Sequence, residues 1–121
     1  MERVLVEKFL VQFKEKVRVF GLEFRIERKK NFQGLLDLDI TARERERIVL
    51  SLTVEDYYKG PSANTSEEGA LWEFGKSIKK KETYIKLAEG AKSQHAVCVS
   101  FHPAERKIHY PFKQSHETGK S

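Results

Sequence analysis

The run LWEFGKSIKKKETYIKLAEGAKSQHAVCVSFHP, residues 71–103, contains three segments in which apolar and polar side chains alternate. Trp72 and Phe74 alternate with Glu73 and Gly75, and Ile85 and Leu87 with Tyr84 and Lys86. Val97, Val99 and Phe101 alternate with Cys98, Ser100 and His102. A period of two is that of a half-buried strand, whose successive side chains point to opposite faces. Residues 78–81 read as a turn. Three such strands in succession predict an antiparallel meander with one covered face and one open face.

The cover is expected upstream, where the period changes. Val6, Leu10, Phe13 and Val17 recur every three or four residues, with Phe9 widening the stripe, which predicts an amphipathic helix. Gly21 breaks that pattern, and Leu22, Phe24 and Ile26 then alternate as a further strand. Asn31 is placed to cap a short helix through Phe32, Leu35 and Leu36. Thr41 and Glu44 have capping-box spacing, and Thr53 with Asp56 repeats it for a second short helix. GPSANTSEEG, Gly60 to Gly69, is a surface loop. Ile108 and Tyr110 begin a last edge strand that Pro111 ends. The expectation is an α+β fold: a small antiparallel sheet packed on one face by N-terminal helices. It forms a single domain over residues 1–113, followed by a flexible tail over residues 114–121.

Composition narrows the class. With 121 residues the chain is long enough for one core without a staple. Its single cysteine, Cys98, excludes an intrachain disulfide and a site of several thiolates. A packed, unreactive thiol is the expected role, because no neighbouring group is evident to lower its pKa. Glu2, Arg3, Glu7 and Lys8 interrupt the apolar character of the first residues, unlike a signal peptide. No stretch approaches the length needed to cross a bilayer, so a cytoplasmic protein is expected. The charge of +5, with basic runs at 28–30 and 79–81, favours encounter with phosphates. Neither GxGxxG nor a phosphate loop occurs, and the four histidines lack ligand spacing, so no cofactor or metal is expected.

If the apolar phase of each strand faces the helices, Glu73, Tyr84, Lys86, Ser100 and His102 share the open face. An acid, a phenol, an ammonium group and an imidazole on adjacent strands are the parts needed for RNA cleavage without metal. A base takes the proton of the ribose 2′-hydroxyl, an acid protonates the leaving 5′-oxygen, and a cation stabilises the phosphoryl charge. Histidine is the side chain whose ordinary pKa lies nearest neutrality. Tyr57 and Tyr58 offer rings on which bases stack, whereas Trp72 shares the core phase of Phe74. A polar sheet face without chemistry is the competing reading of the same residues.

Four blocks in this order and spacing resemble the MqsR family of type II toxin–antitoxin mRNA interferases: SLTVEDYYKGP (51–61), LWEFGK (71–76), YIKL (84–87) and AVCVSFHPAERKIHYPF (96–112). The resemblance runs from about Lys29 to Phe112. It implies a RelE-like ribonuclease fold, metal-independent cleavage of single-stranded mRNA, and neutralisation by a protein antitoxin. The family's lysine after an aromatic pair corresponds to Lys59, and its tyrosine to Tyr84. Where the family carries glutamine after the tryptophan this chain has Glu73, and where it carries lysine after Ser-Phe this chain has His102. The expected catalytic set is thus His102, Tyr84, Lys59, Glu73 and Lys86, with Arg28, Lys29, Tyr58 and Lys76 extending the RNA track. A non-catalytic RNA-binding or antitoxin-binding module is the alternative.

Overall fold

The computed structural model describes residues 2–25, 29–62, 69–90 and 94–113. The chain runs α1 (Arg3–Phe20), β1 (Leu22–Phe24), α2 (Lys29–Leu38), α3 (Ala42–Leu50), a 3-10 turn (Val54–Asp56), β2 (Tyr57–Lys59), β3 (Leu71–Ile78), β4 (Lys81–Ala88) and β5 (Ala96–Pro103). It is a small α+β domain with helices packed against an open five-stranded sheet of order β1-β5-β4-β3-β2. β3, β4 and β5 form the expected antiparallel meander. The sheet as a whole is mixed, because β1 pairs parallel with β5. Ile26, read as part of that first strand, lies outside the described residues, as do residues 114–121.

The helical stripe of α1 packs as its period demands. Val6, Phe9, Leu10, Phe13 and Val17 are its buried residues, and Phe9 stacks on Trp72 with ring centroids 4.3 Å apart. Phe74, Ile85, Leu87 and Phe101 complete the contact from the sheet and are wholly buried. Burying each such side chain stabilises the fold by roughly 1.5–3 kcal/mol. Gly21 ends α1 at φ +92°, where its N–H still reaches Val17 O; a glycine adopts this left-handed φ without steric cost. The Thr41–Glu44 capping box opens α3 as read.

Several local readings are corrected. Asn31 is inside α2, not its cap. Its buried amide donates to Arg25 O and Val99 O and accepts from Phe101 N, at 2.8–3.0 Å. After Arg25 N reaches Cys98 O, this side chain supplies the peptide-like pairing that β1 is too short to give β5. Thr53 and Asp56 pair at capping-box spacing as read, the Thr53 N–H donating to Asp56 Oδ2, but the element they open is a three-residue 3-10 helix. Residues 108–110 form no strand. Val97 and Val99 do not share the face of Phe101: Leu87 opposes Cys98 while Lys86 opposes Ser100, so Val99 is an extra, bulged residue. The bulge turns Ala96 and Cys98 to the helices and puts Val97 and Val99 with Leu71 and Ala88 on the other face. The basic run 79–81 is partly spent on structure, since Lys79 and Lys81 donate to Asp39 O and Asp37 O at the end of α2.

Candidate active site

Two cross-strand rows build the site on the sheet face away from α1, with Gly34 of α2 packed beside His102 at one end. The first reads Lys59, Glu73, Lys86, Ser100 across β2, β3, β4 and β5. The second reads Gly75, Tyr84, His102 across β3, β4 and β5. Directly opposed residues in a sheet hold their Cβ atoms about 5 Å apart, so neighbouring side chains within each row can act on one group. Apart from Gly75, which Ile108 and Tyr110 cover, the residues of these rows floor a hollow of about 330 Å³ that Tyr58 also lines. All five residues of the expected catalytic set border it.

Simple alternation would put Tyr57 and Lys59 on one face. They part because Tyr57 opposes Phe74 while Lys59 opposes the very next residue, Glu73, leaving Tyr58 as a bulge. Tyr57 is consequently a core residue, edge-on to Phe74 and stacked with Phe112, and not a platform for bases. Tyr58 and Lys59 turn to the hollow, with Lys59 Nζ 5.1 Å from the Tyr58 ring centroid.

The Tyr84 hydroxyl donates to Glu73 Oε1 at 2.7 Å. Its ring lies 5.5 Å from that of His102, and Lys86 Nζ stands 5.8 Å from the ring centroid. His102 Nδ1 is 2.9 Å from Pro103 O. A carbonyl oxygen only accepts, so Nδ1 carries the proton of this bond and Nε2 is left for acid–base exchange. Glu73 stands between Lys59 and Lys86 in its row.

The remaining expected residues are placed differently. Lys76 is on the helix side of β3, where Nζ pairs with Asp56 Oδ2 at 3.2 Å, and it does not join the hollow. Lys29 is the first residue of α2, and Arg28 lies outside the described residues. Cys98 is fully buried, and burial pushes its thiol up to about 12, as suits packing and not nucleophilic attack. Sequence reasoning missed Ala104, Glu105, Arg106, Lys107 and Ile108, which form one wall of the hollow. The only local signal is the charged triplet after His102-Pro103.

A larger hollow of about 490 Å³ lies between α1 and Trp72, lined in part by Leu5, Phe13 and Pro61. Three of its lining residues are tied to one another: Trp72 Nε1 donates to Glu89 Oε2 and Lys16 Nζ to Glu89 O. Among the described residues no three histidine, cysteine or carboxylate side chains gather as metal ligands, and no helix is long and apolar enough to cross a membrane. Comparison of the chain with protein-family models, curated proteins and solved structures finds no match.

Proposed function

We propose that this chain is a toxin-type endoribonuclease of RelE-like fold, similar to the MqsR family, that cuts single-stranded mRNA by 2′-hydroxyl attack. One observation carries the reading: Lys59, Glu73, Tyr84, Lys86 and His102, drawn from four strands, border one hollow of about 330 Å³. Lys59 and Lys86 hold the phosphoryl oxygens and stabilise the charge that builds on them. The 2′-hydroxyl gives its proton to Glu73 through Tyr84, whose oxygen accepts while its own hydrogen is already directed at the carboxylate. The new bond joins O2′ to phosphorus, the bond to O5′ breaks, and protonated His102 delivers the Nε2 proton to the departing oxygen. The products are a 2′,3′-cyclic phosphate and a 5′-hydroxyl. Water then restores both protonation states.

The change from a neutral amide to Glu73 fits this route, because a carboxylate accepts a proton where an amide does not. An unregulated ribonuclease harms its host, so the natural partner is a protein antitoxin that covers or disables this face. The test is incubation of the purified chain with a long unstructured RNA in excess EDTA, with the ends of the fragments identified. Cyclic-phosphate ends support the proposal. Intact RNA leaves the alternative, a face that binds RNA or antitoxin without turnover, and normal growth during strong soluble expression removes the toxin role.

A further inference from the structure

One residue, Glu82, holds the segment after β5 at three points. Glu82 lies on the same face of β4 as Tyr84 and Lys86, two and four residues along. Its carbonyl accepts from Ala104 N at 2.8 Å, and its carboxylate accepts from Ile108 N at 3.1 Å and from the Tyr110 hydroxyl at 3.0 Å. Burial and the bond to Glu82 raise the Tyr110 pKa, so its hydroxyl stays a donor. Gly75 makes room for the return of the chain: a Cβ there would lie 2.6 Å from both Ile108 Cδ1 and the Tyr110 hydroxyl. Ile108 is buried as a result.

Between these anchors residues 104–107 stand as a ridge with a hollow on each side. One is the candidate active site; the other, of about 400 Å³, is lined by Lys81, Glu82 and Pro103 together with the same four residues. Arg106 and Lys107 are exposed on the ridge, and their two positive charges outnumber the one on Glu105.

We propose that this ridge is a second phosphate-binding station, at which Arg106 and Lys107 grip the RNA backbone beyond the reacting phosphate, and that Glu82 is its positioning residue. The proposal rests on the ribonuclease reading of the adjacent hollow. A strand lying over Tyr84 and His102 meets the ridge next, and exposed guanidinium and ammonium groups match backbone oxygens without regard to base.

The experiment is fluorescence anisotropy with a short single-stranded 2′-O-methyl RNA, whose blocked hydroxyl prevents cleavage, over a range of salt. Replacing both Arg106 and Lys107 by alanine weakens binding roughly tenfold or more and lowers the salt slope by about 1.4, at about 0.7 for each single-strand phosphate contact. In cleavage of ordinary RNA the same variant raises KM and leaves kcat nearly unchanged. Glu82→Ala supplies the sign test. Removing a carboxylate beside a polyanion site raises affinity if only its charge matters, whereas loss of a positioning residue lowers it. The station is overturned by an unchanged slope in the double variant, and the role of Glu82 by tighter binding in Glu82→Ala with an unaltered CD spectrum. Competition by polyglutamate as strong as by the oligonucleotide assigns the ridge to protein docking instead. A wild type that binds the probe but never cleaves RNA sinks the ribonuclease reading alone; one that binds no RNA sinks both.

Discussion

On the helix side of the sheet, Phe74, Ile85, Leu87 and Phe101 are wholly buried against α1 and α3. On the other side, the same strands turn Glu73, Tyr84, Lys86 and His102 to a half-open hollow floored by polar groups. Strand periodicity produces both faces at once, because each residue given to the core sends its neighbours outward. The difference lies in what holds each face. Dispersion and water exclusion fix the covered side, so substitutions there are read as stability. The other side has a smaller apolar cluster at Val97 and Val99, and its polar part is held by a few named contacts, such as Tyr84 to Glu73 and His102 to Pro103 O. Substitutions of those partly exposed polar groups therefore cost the fold less, and under the proposed function they act on cleavage.

The largest effect belongs to the covered face. Phe74→Ala removes a ring that is 0% exposed and costs about 3–5 kcal/mol in the denaturant unfolding free energy. A loss below about 1 kcal/mol would break the contrast at its root. Asn31→Ala comes next, at about 2–4 kcal/mol, because it strands the carbonyl of Val99 and the N–H of Phe101 in the interior. Hydrogen exchange sharpens this case: the amide of Phe101 loses protection first, ahead of those in β3. Lys80→Gly acts in the opposite direction. Lys79 and Lys80 form the two-residue β3–β4 turn at φ +51° and +70°, and a glycine at the second position stabilises the hairpin by about 1 kcal/mol. Calorimetry should show a rise in Tm with cleavage unchanged.

The meander and the helix over it were legible because α1, β3 and β4 keep their periods without interruption. Legibility stops where one residue is extra. The bulges at Tyr58 and Val99 depend on the register of a partner strand, which no local pattern records. They set the face of Tyr57, Lys59, Val97 and Val99. Alternation alone placed Glu73, Tyr84, Lys86, Ser100 and His102 together; Lys59 came only through the resemblance, and Lys76 was assigned against its own phase. The parallel pairing of β1 rests on three residues, too few to signal a partner. Asn31 and Glu82 act over 70 and 28 positions respectively, through contacts that nothing local in the sequence marks. Charge runs mislead for a related reason, since Lys79 and Lys81 serve helix-end carbonyls.

The division of labour between the faces is tested most directly by measuring RNA cleavage in excess EDTA and denaturant unfolding on the same preparations of wild type and His102→Ala. His102 is partly exposed and makes one hydrogen bond, to Pro103 O, so its replacement lowers the unfolding free energy by about 1 kcal/mol or less. Loss of its proton transfer lowers the cleavage rate by about 10²-fold or more. Equal cleavage by the two proteins would contradict the account, and so would a rate loss matched by an equal loss of folded protein.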